Sequence, residues 1–112
     1  MADVVVAVKL IDFDGESETF VAMATGNTYK VRNNGRTLIH LKKTGAGAAN
    51  ITVQTPKQVA GLAVADPVAV VPATTGDVMI VPVYKDLFND AVGDVNLTTD
   101  EGTGLTIAAV RI

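Results

Sequence analysis

Residues 33–43, Asn-Asn-Gly-Arg-Thr-Leu-Ile-His-Leu-Lys-Lys, pass from a turn triplet straight into a mostly apolar run. Asn and Gly tolerate the positive φ angles of a tight reversal, and the apolar continuation suits a strand. A loop of small residues follows, Gly45-Ala46-Gly47-Ala48-Ala49. After it comes the alternating run Asn50-Ile51-Thr52-Val53-Gln54-Thr55, stopped by Pro56. Alternation with period two sends side chains to opposite faces of a strand. Proline has no N–H to continue the ladder. Two strands joined by a short loop make a hairpin, and the rest of the chain repeats the pattern.

Turn signals recur at roughly the 8–12-residue spacing of a sandwich or barrel. They include Asp14-Gly15, Gly26-Asn27, Asp66-Pro67, Thr75-Gly76-Asp77, Gly93-Asp94 and Gly102-Thr103-Gly104. The runs between them predict strands over 4–11, 18–24, 28–32, 36–43, 50–55, 67–72, 77–84, 94–99 and 104–111. Within them Tyr29 and Val31, Ile51 and Val53, and Val95 and Leu97 belong to the dry faces. Thr28, Lys30, Arg32, Thr52, Asn96 and Thr98 belong to the wet ones. Runs 78–83 and 105–110 are apolar on both faces, which predicts central strands or strands covered by a partner subunit. Pro82 argues that the first of these runs along an edge or carries a bulge. Helix is scarce: 59–65 is too short, and 85–92 reads better as a loop closing one end of the sandwich than as a helix with Leu87, Phe88 and Val92 turned inward.

Composition narrows the function classes. The 112 residues make one domain, long enough for a single core without staples. There is no cysteine, so disulfides, zinc–thiolate sites and cysteine nucleophiles are excluded. A net charge of −3 argues against general nucleic-acid binding. Aromatic residues are only 4% and tryptophan is absent, which leaves little to stack on sugars or bases. The apolar start, residues 1–11, reads as a strand. Asp3 stands where a signal peptide would carry basic residues, and the run is far short of the ~20 apolar residues of a membrane span.

No catalytic constellation is visible. His40, the single histidine, lies between Ile39 and Leu41 inside a strand, which predicts a partly buried scaffold residue. Ser17, the single serine, has no nucleophile-elbow context. The acidic segment 12–18, Asp-Phe-Asp-Gly-Glu-Ser-Glu, resembles the start of a calcium loop but lacks the closing bidentate glutamate. It reads as a solvated hairpin tip, with a weak calcium site as the lesser alternative. The glycine-rich pieces 45–47 and 102–104 lack the helix and lysine of a phosphate cradle and read as hairpin turns. Lys30, Arg32, Arg36, Lys42 and Lys43 form a basic cluster that reads as a solvated sheet face. Lys30 and Arg32 share one face of one strand, and with Arg36 they are the candidate contacts to an acidic partner. No metal or cofactor is expected.

From about residue 26 to the end, the chain resembles a family of small tailed-phage virion proteins. The matching pieces are Asn34-Gly35-Arg36-Thr37 entering an apolar strand, then Ile51-Thr52-Val53-Gln54-Thr55-Pro56. Gly61-Leu62-Ala63-Val64-Ala65-Asp66 and Val71-Pro72-Ala73 follow, then Tyr84 with Phe88-Asn89. Gly104-Leu105-Thr106-Ile107-Ala108-Ala109-Val110-Arg111-Ile112 closes the match. Such proteins look like capsid decoration, or cement, proteins or related small head proteins. The resemblance implies a jelly-roll-like β-sandwich, often trimeric, on the outer surface of a head. It also implies the major capsid protein as partner, with no enzymatic activity, nucleic acid or membrane involved. Residues 1–25 lie outside the match and are the candidate attachment segment. A carbohydrate-binding or host-adhesion module is the alternative, and Tyr29 and Tyr84 are its only stacking candidates.

Overall fold

The computed structural model describes residues 3–12, 14, 15, 17–63, 65–82 and 84–112, apart from the side chain of Val59. The N-terminal run forms two short strands, β1 (Asp3–Val6) and β2 (Val8–Leu10), broken at Ala7. Then come β3 (Val21–Ala22), β4 (Thr28–Arg32), β5 (Thr37–Lys43) and β6 (Ala49–Val53). A miniature hairpin, β7 (Gln58–Val59) and β8 (Leu62–Ala63), precedes β9 (Val68–Val71) and β10 (Gly76–Ile80). One helical turn, α1 (Lys85–Phe88), leads to β11 (Asp94–Thr99) and β12 (Leu105–Arg111).

The strands build two sheets, β1-β4-β11-β6-β9 and β10-β5-β12-β2, with β3 also on β12. The connectivity is that of a jelly roll. Among the eight longer-range strands the first pairs with the last, β3 with β12, and the second with the seventh, β4 with β11. The third pairs with the sixth, β5 with β10, and the fourth with the fifth, β6 with β9. All four pairs are antiparallel, as when one long hairpin is rolled into two layers. The added N-terminal strand departs from this rule. β1 lies parallel to β4 in one sheet, and after Ala7 the chain crosses so that β2 lies parallel to β12 in the other. A single strand thus straps one flank of the sandwich, a corner device that lets a strand serve two sheets.

The core lies between the sheets and follows the period-two reading. Val31, Ile39, Leu41, Ile51, Leu97 and Ile107 expose no surface. Tyr29 is buried among them, and its hydroxyl accepts from the Ala24 N–H at 2.7 Å and donates to the Ala22 carbonyl at 3.4 Å. The tip of an aromatic core residue thereby holds β3, whose two residues alone would not stay paired.

The Asn-Asn-Gly triplet makes the β4–β5 turn by a specific mechanism. The Asn33 side-chain oxygen accepts from the Gly35 N–H and that of Asn34 from the Arg36 N–H, both at 2.9 Å. Gly35 takes φ of +89°. Asn33 is itself buried. Its amide donates to the Pro82 carbonyl at 2.7 Å and to the Asn89 side chain at 2.8 Å. The turn is therefore bolted to the segment around α1.

Several expectations need correction. The predicted strand 18–24 shrinks to β3, because the preceding residues lie back on the outer face of the β5 sheet. β12 is central as expected, and β10 is the edge strand that Pro82 predicts; it stops before Pro82, and Met79 and Val81 are about half exposed. Segment 85–92 is not a loop throughout: it opens with one helical turn, Lys85–Phe88, and Val92 faces solvent at 64% exposure. Residues 58–63 form the β7–β8 hairpin, reversed by Ala60 and Gly61 at φ of 53° and 78°. Asn96, read as wet, is buried. Lys43, read as part of a solvated face, is 1% exposed. Its register puts it on the inward side of β5, where its ammonium donates to the carbonyls of Thr103 and Ala46 in the two glycine-rich loops. Neither loop is the expected hairpin turn: 45–47 joins β5 to β6 and 102–104 joins β11 to β12, and each crosses from one sheet to the other because the strands it joins belong to different layers of the roll. The two loops nest so closely that a Cβ on Gly45 would lie 2.3 Å from the Thr103 oxygen.

Ile51→Asp and Ile107→Asp should each destabilise by several kcal/mol, since both place an unpaired charge in a dry core. Thr52→Asp, one residue away on the outer face, should be mild. Equal midpoints of denaturant unfolding for the two classes would refute the register. Asn33→Ala should cost about 1–3 kcal/mol, because it leaves the buried Pro82 carbonyl and the Gly35 N–H without their partner. Asn34→Ala, which loses only an exposed turn bond, should cost less in the same assay.

Candidate functional site

The three basic candidates do not share one environment. Lys30 and Arg32 stand on the outer face of the β4 sheet, as their alternation predicts. Both are already engaged. The Lys30 ammonium donates to the Asn96 side-chain oxygen at 2.7 Å and lies 3.5 Å from Asp90. The Arg32 guanidinium lies 3.1 Å from Asp94 and donates to the Val92 carbonyl. Arg36, exposed at the start of β5, has no side-chain partner among the described residues.

Asp90 organises this face. Its carboxylate accepts from the N–H groups of Val92 and Asp94 at 3.0 Å and from the Asn96 amide at 3.1 Å, beside Lys30. Partial burial opposes its charge, but these donors and the Lys30 cation outweigh that and hold its pKa at about 2.

Where the strap crosses at Ala7, a cleft of about 370 Å³ opens between the sheet edges. Val5, Val6 and Val8 wall it, with Arg32, Asn34 and Arg111 at its polar side. Arg111 is half-buried and has no side-chain partner among the described residues. Sequence reasoning passed over it because it ends an otherwise apolar strand. The β5–β12 register pairs it with the buried Thr37, so it lies on the side of the sheet that borders the cleft, not on the side that carries Arg36.

The opposite flank is apolar and unstrapped. β9 and β10 are the outermost strands of their sheets there. Val68, Val70, Met79 and Val81 are 54%, 55%, 51% and 46% exposed. Between the two strands lies a groove of about 190 Å³ lined by Val53, Ala69, Ile80, Pro82 and Phe88 among others.

His40 is partly buried in its strand, as expected of a scaffold residue, yet it sits in a polar cluster. Its Nδ1 lies 2.8 Å from the Glu18 carboxylate and its Nε2 contacts Asp77 on β10. Phe20 packs edge-on to the ring at 5.4 Å, and the Lys42 ammonium lies 5.5 Å over Phe20. Burial opposes the imidazolium, but hydrogen bonds and attraction from Asp77 and Glu18 more than offset it and raise the pKa above the ordinary value. A serine relay needs a hydroxyl on the second ring nitrogen. Here that nitrogen faces a carboxylate. Among the described residues no group of three or more His, Asp or Glu side chains is arranged to hold a metal ion. Of the acidic segment, Asp12 closes a turn onto the N–H of Asp14 at 3.1 Å, and Glu18 turns to His40. Phe13 and Glu16 lie outside the described residues.

Asp90 supplies a pH test. A depressed pKa means that its contribution is complete above the ordinary value of 3.8 and is lost as pH falls towards about 2. The contribution is on the order of 2 kcal/mol at neutral pH. Asp90→Asn should lower stability at pH 7 and flatten the acid limb of a stability–pH curve. An unchanged acid limb would refute the assignment. No protein-family model, curated protein or solved structure matches this chain.

Proposed function

We propose that this chain is a structural virion protein that cements a capsid. It seats on the outer surface at junctions between subunits of the major capsid protein and works as a homotrimer. The unstrapped flank carries this reading. Two strand edges without a further partner strand lie side by side there, with the half-exposed Val68 and Val81 at the groove between them, and that is the kind of surface a protein covers with another copy of itself. The strapped flank also presents apolar side chains, Val5 at 78% and Leu10 at 48% exposure. A cyclic trimer is closed by two different patches meeting head to tail, and the two flanks supply them. A jelly roll is compatible with the role without implying it. Seating a trimer across several shell subunits would turn weak contacts into high avidity.

The charge pattern refines the docking face. Lys30 and Arg32 already have acidic partners on their own sheet, so Arg36 is the member of the original trio with charge to offer. The carbohydrate-binding alternative is weaker on this geometry, since Tyr29 is a core residue and only Tyr84 of the two tyrosines is exposed.

The test uses heads that lack the protein. Purified protein should rebind them and slow their bursting on heating. Binding should weaken with salt, because exposed charge pairs are screened beyond about 8–10 Å. Arg36→Glu should reduce binding at least tenfold, and more than Arg32→Glu. Val70→Lys should leave a folded monomer by light scattering. Rebinding indifferent to salt and to Arg36 would move the contact to an apolar surface. Failure to bind any head, or a wild-type protein that stays monomeric in solution and on particles, would overturn the reading.

A further inference from the structure

The outer face of β12 holds a feature that core packing does not explain. Leu105, Ile107 and Ala109 point into the sandwich, so Ala108 and Val110 point out, yet they are 0% and 3% exposed. Their cross-strand neighbours show what covers them. Ala108 pairs with His40 on β5 and Val110 with Lys9 on β2. Both neighbours reach up to one segment, residues 17–20. The Lys9 ammonium donates to the Ser17 carbonyl at 2.8 Å, His40 meets the Glu18 carboxylate at 2.8 Å, and Phe20 packs on the His40 ring. Residues 17–20 therefore lie across β12 as a flap, anchored on either side of two small apolar residues.

The anchor at His40 has a chemical requirement. Each ring nitrogen faces a carboxylate, Nδ1 that of Glu18 and Nε2 that of Asp77. A carboxylate only accepts hydrogen bonds, so both ring nitrogens must donate, and only imidazolium has two N–H groups. Neutral imidazole would set a lone pair against one carboxylate. The charged groups around the ring are Glu18 from the flap, Asp77 from β10 and Lys42 from β5 itself, whose ammonium stays over Phe20. From β12 the ring's cross-strand partner is the uncharged Ala108.

We propose that His40 is a proton-operated latch, which holds residues 17–20 over β12 while it is an imidazolium and releases them when it loses a proton. The direction follows from linkage. A latch that binds the proton raises the imidazole pKa. Its hold is therefore complete below the ordinary value of ~6.5 and is lost as pH rises through the latched value. That value is raised here, in agreement with the geometry. Release would uncover Ala108 and Val110 and free Asp77 on the edge strand. This device is independent of what the chain binds.

The test is an NMR titration of the intact protein between about pH 5 and 9, the range in which histidine switches. The His40 ring carbons, the Phe20 ring protons and the Ala108 and Val110 methyls should share one midpoint above ~6.5. The 15N heteronuclear NOE of residues 17–20 should fall across it, while that of Val31 and Leu97 stays constant. The released population should grow about tenfold for each unit by which the midpoint exceeds the ordinary value. His40→Gln should lower the NOE at every pH and remove the step. Glu18→Gln, which keeps the Asp77 contact, should move the midpoint down. A midpoint at or below ~6.5, a flap that stays ordered while the ring titrates, or a step that survives in His40→Gln would each overturn the proposal.

Discussion

The ladder between β5 and β12 is the constraint on which the rest of the molecule hangs. It runs unbroken from the Lys43–Leu105 pair to the Thr37–Arg111 pair. Its strands are the third and the last of the roll, far apart in the chain, so loop-closure entropy must be met before the ladder is rewarded. Once it exists, β10 has an edge to join on one side and β3 and β2 have one on the other. The inward residues of both strands, Ile39, Leu41, Leu105 and Ile107, then form the floor against which the β4 sheet closes.

Two ways of settling charge follow from that frame. At one end of the ladder Lys43 points inward and is held by loop carbonyls, so the loops that bound the core are also the solvation shell of a buried cation. A buried charge is tolerated when dipoles replace its water. On the outer face of the β4 sheet the solution is different. Lys30 and Arg32 are balanced by Asp90 and Asp94 from β11 and the turn before it. At the other end of the ladder Arg36 and Arg111 are balanced by nothing among the described residues. A net charge of −3 thus conceals an uneven surface.

The fold was legible where one strand's own pattern decides its environment. Tyr29 and Val31, Ile51 and Val53, and Val95 and Leu97 alternate with polar neighbours, and each lies in the core. Legibility stopped where a second element decides. Asn96 looked wet because its strand alternates, but Lys30 and Asp90 bury it. Lys43 looked exposed because lysine usually is, while its register turns it inward. The break at Ala7 carries no breaker residue at all. It exists because one strand serves two sheets, a relation between distant ladders. The candidate site was legible only in part for the same reason. Lys30 and Arg32 were placed on one face correctly, but their partners, and the place of Arg111 at the cleft, depend on pairings that no local window contains.

The strap has a mechanical consequence. β2 runs parallel to β12, and the two lie side by side near opposite ends of the chain. If the first residues and the last were drawn apart, β2 would be pulled towards its own start and β12 towards its own end. The bonds between them would then be loaded together in shear rather than opened one by one like a zip. β1 on β4 presents the same parallel geometry in the other sheet. A chain tethered at both termini would therefore meet its stiffest hydrogen-bonded contacts first, before any strand of the roll is asked to move.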